Sequence, residues 1–346
     1  MSETYRRIVL ASRPDGAVTP TNFRLETQPI PKPKDGEVLV HNHYLSLDPY
    51  MRGRMNDAKS YATPQPIGET MIGATVGVVI ESHHAKFKKG DTVVGMYGWS
   101  EYGCSDGAGL MKVDTTHVPE SAYLGPVGMP GMTAWYGLNK IIEPKAGETI
   151  VVSAASGAVG SVVGQLAKLA GCRAVGIAGG PDKCAYVVDE LGFDACVDYK
   201  AAKDRKQLHG LVKDATPKGV DGYFENVGGD VMNTVLSRLN PFARVAVCGL
   251  ISGYDNQGSM APLENPAMFL VARFKMQGFI VSEHMELWPQ GLKELGVGVA
   301  TGKLKYRESI ADGLAAAPEA FMGLLKGKNF GKQLVRLAQV NGPSQK

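Results

Sequence analysis

The chain has 346 residues, is 44% hydrophobic and 21% charged, and carries a formal net charge of +3. That length exceeds one small core and predicts two domains, with the composition of an ordinary globular protein. So small a charge offers no clustered basic face for nucleic acid, and no run approaches the roughly 18 apolar residues of a membrane-spanning helix, so neither partner is expected.

At the N-terminus Arg6 and Arg7 precede only four apolar residues, Ile8 to Ala11, too few for a signal-peptide core. The expected location is cytoplasmic. Five cysteines without a Cys-x-x-Cys pair fit reduced thiols better than a disulfide framework.

The first third reads as β-rich. Val38 to His43, Ala74 to Ser82 and Thr92 to Met96 are predicted strands, separated by Gly, Pro and Asp clusters. The basic run Lys86-Phe87-Lys88-Lys89 leads into Gly90-Asp91 and reads as a solvated turn. Between Pro119 and Gly131 prolines and glycines punctuate the chain, and a helix is expected from about Met132.

From Glu148 onward strands alternate with helices, the pattern of a doubly wound parallel sheet in an α/β fold. Thr149 to Ser153 is a short apolar run, as a strand buried on both faces requires. Val159, Val162, Val163, Leu166 and Ala170 fall on one helical stripe. Ala174 to Ala178 follows as a strand and Asp182 to Leu191 as a helix. Gly222 to Glu225, Arg244 to Gly249 and Met276 to Val281 are further predicted strands. Beyond Thr301 the texture changes again, with a helix expected over Ala311 to Leu325, a strand over Gln333 to Leu337, and a frayed end from Asn341 to Lys346.

Between the strand ending at Ser153 and the helical stripe lies Ala154-Ala155-Ser156-Gly157-Ala158-Val159-Gly160. Glycines in such a turn let the backbone approach a pyrophosphate, and the helix N-terminus offers unpaired N–H groups, so a dinucleotide site is expected here, with plain strand-to-helix packing the competing role. It departs from G-x-G-x-x-G in carrying Ala155 at the first glycine position. The second strand ends Ile177-Ala178-Gly179-Gly180, without the acid that would bind a ribose 2′-hydroxyl. Lys183 follows and could pair with a 2′-phosphate, although Asp182 beside it weakens the field. NADP(H) is therefore the expected cofactor.

The segments Ala154 to Gly160, Lys183, Glu225-Asn226-Val227-Gly228-Gly229 and Cys248 to Tyr254 together resemble the medium-chain dehydrogenase/reductase superfamily. Leu45 to Gly53 and Lys326 to Lys332 narrow the resemblance to its zinc-independent branch of prostaglandin reductases, leukotriene 12-hydroxydehydrogenase, plant double-bond reductases and curcumin reductase. The similarity runs from about Tyr5 to Leu337. It implies a Rossmann domain, residues 125–304, inserted into a GroES-like β-rich domain of residues 1–124 and 305–346. It also implies an interdomain NADP(H) site and a homodimer. By position, Gly157, Ala158, Val159 and Gly160 would hold the pyrophosphate, and Lys183 and Tyr199 the 2′-phosphate. Asn226, Cys248, Gly249, Ser252, Tyr254, Phe279, Val281 and Asn329 would line the rest, with plain packing the competing role for Phe279 and Val281.

Zinc-dependent relatives carry a Gly-His-Glu motif and four closely spaced cysteines; here the first reads Gly68-Glu69-Thr70 and the cysteines lie singly. His41 and His43 would share a strand face but lack a third ligand. Gly103-Cys104-Ser105-Asp106-Gly107 matches the G-x-S-x-G elbow of serine hydrolases, yet Asp106-Gly107 reads as a hairpin turn with no helix after it. The expected activity is NADPH-dependent reduction of the carbon–carbon double bond of an α,β-unsaturated carbonyl substrate. Tyr254 is the first candidate for stabilising the enolate and Tyr50 the second. A quinone reductase-like or non-catalytic NADPH-binding protein is the alternative.

Overall fold

The computed structural model describes residues 3–256 and 261–338 and divides them into two compact units. The first comprises residues up to Leu124, Glu308–Asn329 and those from Gln333 on; the second comprises Gly125–Arg307 and Phe330–Lys332. The expected fray at Asn341 to Lys346 lies outside the described residues.

The first unit opens with an antiparallel pair, β1 (Thr4–Leu10) and β2 (Phe23–Pro29), absent from the sequence reading. A larger sheet follows, made of β3 (Val38–Ser46), β4 (Thr75–Ser82), β5 (Thr92–Gly95), β6 (Tyr102–Ser105) and β7 (Met111–Lys112). A short helix, α1 (Tyr50–Arg54), sits between β3 and β4 in the chain. The expected hairpin at Asp106-Gly107 is only a turn, because β6 pairs with β3 whereas β7 pairs with β5. Lys86, Lys88 and Lys89 are exposed while Phe87 between them is buried, so that turn is anchored by one aromatic ring.

In the second unit α2 (Met129–Tyr136) leads to a six-stranded, all-parallel sheet: β8 (Thr149–Ser153), β9 (Arg173–Ala178), β10 (Ala195–Asp198), β11 (Val220–Glu225), β12 (Leu239–Val247) and β13 (Lys275–Gly278). The strand order is β10-β9-β8-β11-β12-β13. Its connections carry α3 (Gly160–Leu169), α4 (Pro181–Ala185), α5 (Arg205–Ala215), α6 (Gly229–Leu236) and α7 (Met268–Ala272), and α8 (Trp288–Ala300) follows. Side chains alternate across a strand, and the core shows it. Ile150 and Val152 pack with α2 and α3, whereas Val151 packs with Leu208 and Val212 of α5 and with α6. Both faces are therefore covered, and the apolar run of β8 is the consequence.

Close approach of α3 to its surroundings depends on Gly164: a Cβ there would fall 1.7 Å from the buried ring of Phe193. The strand expected over Met276 to Val281 stops at Gly278, because Phe279 and Val281 leave the ladder to pack against the α2 core.

After α8 the chain returns to the first unit. β14 (Glu308–Asp312) and β15 (Lys332–Arg336) join the larger sheet, with Val335 of β15 opposite Leu45 of β3. The helix expected from Ala311 is confined to α9 (Ala317–Leu325), since Gly313 at φ +80° ends β14 and Pro318 fits a first helical turn. Phe321 of α9 completes a core with Phe23 and Trp99, its ring centroid 5.6 Å from that of Trp99. Among the described residues no helix is long and apolar enough to cross a membrane.

Candidate active site

The turn after β8 is shaped by backbone constraints. Ala154 adopts φ +50°, a left-handed conformation unusual for a residue with a Cβ. Its carbonyl oxygen then faces the start of α3. A Cβ on Gly160 would lie 2.4 Å from that oxygen, and one on Gly157 3.2 Å from it. Only glycine lets the helix begin this close to the strand end, with Ala158 and Val159 spanning the gap. A helix leaves its first N–H groups without partners in its own ladder, which suits a bound anion. The turn is braced from the chain's far end: the Gly331 N–H donates to the Ser156 carbonyl at 3.1 Å, and Gly331 bridges Gly157. Asn329, in the first unit, precedes this segment by one residue.

At the end of β9 the chain passes through Gly179 and Gly180, the latter at φ +103°. A Cβ on Gly179 would meet Lys200 Cε and the Tyr199 ring at 2.9 Å each, so both side chains close over this glycine. The Asp198 carboxylate, at the end of β10, accepts from the N–H groups of Gly180 (2.8 Å) and Lys200 (3.0 Å). Lys183 is half-buried, and its burial and the nearby Lys200 charge hold its ammonium below the usual lysine range. Two ammonium groups and a phenol are the donor set of a phosphate, not of a ribose diol, so these residues fit the 2′-phosphate of NADP(H). Sequence reasoning named Lys183 and Tyr199 but missed Lys200, which stands 17 positions on and arrives through the β9–β10 pairing.

The ends of β8 and β11 are joined by one carboxylate. Glu225 is fully buried. It accepts from the Ser153 hydroxyl at 3.0 Å, the Gly228 N–H at 2.9 Å, the Val227 N–H and the Tyr223 hydroxyl. Burial pushes its carboxyl above the ordinary range, and the four donors oppose that push. Asn226 next to it donates its N–H to Ser153 Oγ at 2.8 Å and its amide Nδ2 to the Ser153 carbonyl at 2.7 Å. The following loop is strapped on by backbone bonds: Cys248 and Gly249 N–H to the Glu225 carbonyl, Ile251 N–H to Asn226, and Ser252 N–H to Val227. Burial and the Glu225 charge push the Cys248 thiol up to about 12, so it stays protonated. Tyr254 lies on the next helical turn, its hydroxyl 3.2 Å from where a Gly249 Cβ would be. Gly249 thus leaves the space that the phenol occupies.

Phe279 packs at 5.4 Å from the Tyr136 ring, and Val281 is buried with its carbonyl accepting from Trp288 Nε1 at 3.2 Å. In the first unit, Tyr50 opens α1, and burial together with the Asp48 charge raises its phenol above the ordinary range. The second unit therefore gathers Gly157 to Gly160, Lys183, Tyr199, Asn226, Cys248, Gly249, Ser252 and Tyr254 at the C-terminal ends of its strands, where α/β sheets bind ligands. Tyr50 and Asn329 belong to the first unit.

The other motifs are occupied differently. His43 Nδ1 lies 3.1 Å from Glu120, and the His41 ring stacks on Tyr102 at 4.4 Å. Ser105 Oγ accepts from the Gly107 N–H at 3.0 Å, and no helix follows to form an elbow. Glu69 is exposed, and among the described residues no three His, Cys, Asp or Glu side chains converge on a metal position.

Residues 6–113 match the family described as the N-terminal domain of oxidoreductase, and residues 158–296 the one described as zinc-binding dehydrogenase. The NADPH-dependent curcumin reductase of Escherichia coli (strain K12) is 48% identical over 339 residues, 96% of this chain and 97% of that protein. Prostaglandin reductase 1 of Rattus norvegicus is 43% identical, over 93% of this chain and 96% of its own. The crystal structure of CurA from Vibrio vulnificus in complex with NADPH superimposes with a TM-score of 0.90 at 48% identity, covering 97% of this chain and all of that one. With relatives this similar over nearly its whole length, the chain belongs to the medium-chain dehydrogenase/reductase family, in its zinc-independent branch.

Proposed function

We propose that the protein reduces the carbon–carbon double bond of α,β-unsaturated ketones and aldehydes with NADPH. The observation that carries this reading is the arrangement at one sheet edge of a phosphate cradle, a lysine pair and a phenol lodged over a glycine. Its relatives named as reductases of curcumin and of prostaglandin support the substrate class.

The bound cofactor supplies a hydride for the β-carbon of the substrate. Tyr254 donates a hydrogen bond to the carbonyl oxygen, where negative charge collects as the enolate forms. Its phenolic O–H can donate without being consumed as a base. Aimed at developing charge, such a donor acts most strongly in the transition state. Tyr50, in the first unit, is assigned the lesser role. Gly157 to Gly160 hold the pyrophosphate, and Asn226, Cys248, Gly249, Ser252, Phe279, Val281 and Asn329 shape the remaining cofactor contacts. Lys183, Lys200 and Tyr199 take the 2′-phosphate.

We further infer a homodimer built on β13. Among the described residues this strand is the outer one on its side of the sheet, and the adjoining β12 and α7 expose Phe242 (66%), Leu270 (81%) and Val271 (63%). An unpaired edge flanked by apolar side chains suits a two-fold pairing with a second copy. Light scattering should give twice the 36.9 kDa chain mass for the parent, and the chain mass for Leu270→Glu/Val271→Asp. A monomeric parent rules the pairing out.

Lys183→Glu should raise KM for NADPH at least tenfold, the effect of losing a charge-assisted contact of about 1.5–3 kcal/mol, while KM for NADH barely moves. The depressed Lys183 ammonium also loses its charge at lower pH than an ordinary lysine. The preference for NADPH over NADH should therefore shrink as pH rises, sooner than an unperturbed lysine would give. A parent enzyme that uses both cofactors equally would sink this assignment.

Tyr254→Phe should lower kcat with little change in cofactor affinity, by about 10²–10³ if the phenol is the principal oxyanion donor. Tyr50→Phe should cost much less. Measured with one enone at saturating NADPH, loss of turnover in Tyr50→Phe alone would reverse the two roles.

A further inference from the structure

We propose that Arg307 is a positioning residue for the choice of cofactor: its guanidinium clamps the helical turn behind Lys183 to the segment that braces the phosphate turn, and so holds the lysine in register with the cradle. The proposal rests on the reading of Lys183 as a 2′-phosphate contact. All the residues involved belong to the second unit.

Phe330, Gly331 and Lys332 form a strap. One side of it touches the phosphate turn, through the Gly331 N–H on the Ser156 carbonyl at 3.1 Å and the bridge to Gly157. The other side lies on Arg307, whose carbonyl accepts from the Lys332 N–H at 2.8 Å. Gly331 sits at φ +67°, and a Cβ there would strike the Arg307 carbonyl oxygen, so this approach needs glycine.

On the lysine's side, α4 runs directly into a further helical stretch, Tyr186–Glu190. Tyr186 stands three residues beyond Lys183, and Glu190 four beyond Tyr186, so each is about one turn from the last. The Arg307 guanidinium carbon lies 4.6 Å from the centroid of the Tyr186 ring and 4.9 Å from that of Phe330. The two rings meet edge to face at 5.0 Å. Arg307 Nη2 also pairs with the Glu190 carboxylate at 2.6 Å. One planar cation thus grips both ends of the helical stretch and the strap together.

The stack outweighs the ion pair. The Arg307 and Glu190 side chains are each 47% exposed, and a surface pair of that kind contributes little. Both ring distances fall within the roughly 6 Å reach of a cation–π contact. Tyr186 is buried, and that burial pushes its phenol up to about 12, so the cation faces a neutral ring. The strap's own hydrogen bonds use backbone alone. Removing the Arg307 side chain therefore leaves the cradle in place and frees the Lys183 helix from it. A cofactor seated on the cradle then meets the lysine at a lower effective concentration. NADH carries no 2′-phosphate and makes no use of that alignment.

The test titrates NADPH and NADH by fluorescence against Arg307→Ala, Arg307→Lys, Lys183→Ala and the Arg307→Ala/Lys183→Ala double variant, with thermal unfolding run in parallel. Arg307→Ala should raise Kd for NADPH about five- to tenfold and leave Kd for NADH within about twofold. Arg307→Lys keeps the cation but not the planar stack, and should recover part of the loss. Should the alanine variant fail to fold, the lysine variant is read on the same two constants, with a smaller shift confined to NADPH. In the Lys183→Ala background Arg307→Ala should change Kd for NADPH by less than about twofold, because an effect carried by the lysine vanishes with it. Equal weakening of both cofactors, a lowered Tm with both constants unchanged, or the full effect in the double variant overturns the proposal and leaves the 2′-phosphate assignment standing. A Lys183→Ala protein that binds NADPH like the parent overturns the assignment, and the proposal falls with it.

Discussion

One buried carboxylate organises the C-terminal ends of the central strands of the parallel sheet. Glu225 ends β11 and reaches Ser153 at the end of β8, the backbone of Val227 and Gly228, and the Tyr223 hydroxyl, while its own carbonyl holds Cys248 and Gly249. A carboxylate buried without partners would cost several kcal/mol or give up its charge; four donors let it stay. Two loops that would otherwise move independently are fixed to one point. The placement of Asn226 against β8 follows from that, and the backbone carbonyls of Glu225, Asn226 and Val227 in turn hold the loop on which the Tyr254 hydroxyl sits over Gly249. The proposed mechanism asks for a donor fixed before the substrate arrives, which is what such a network supplies.

The second constraint is close approach. Gly160 lets α3 start against the Ala154 carbonyl, Gly164 seats α3 on Phe193, and Gly179 admits Tyr199 and Lys200. At Gly160 and Gly164 a methyl group would strike backbone or a buried ring, and at Gly179 it would displace the exposed side chains of Tyr199 and Lys200. The cradle and the lysine pair thus come from the same device, glycine where another chain segment must come near.

Local signals were the legible ones. Thr149–Ser153 ends where its apolar run ends, and the glycine turn announces itself because strand, turn and helical stripe are consecutive. Lys200 gave no such signal: its partner Lys183 is remote in sequence, and only parallel pairing of β9 and β10 joins their ends. Glu225 was visible as part of a family-like segment, but nothing local says that it will be buried against Ser153, 72 residues earlier. Phe279 and Val281 extended an apparent strand because apolar alternation cannot tell ladder from core. Ala311 and Asp312 read as helix, yet pairing with the sheet claimed them for β14, and Gly313 at positive φ set the boundary. The misread hairpin at Asp106-Gly107 has the same origin, since turn chemistry does not say which strands a turn will join.

If Glu225 is the anchor, removing its side chain must loosen the cofactor site although that side chain is itself assigned no contact with the cofactor. The direct measurement is a fluorescence titration of NADPH against Glu225→Gln and Glu225→Ala, with thermal unfolding followed in parallel. Glutamine keeps an acceptor for Ser153, Val227 and Gly228, so binding should stay within a few-fold of the parent. Alanine leaves buried N–H and hydroxyl groups unpaired at about 1–3 kcal/mol each, and binding should weaken at least tenfold with a lower Tm. A Glu225→Ala protein that binds NADPH and melts like the parent would contradict the account.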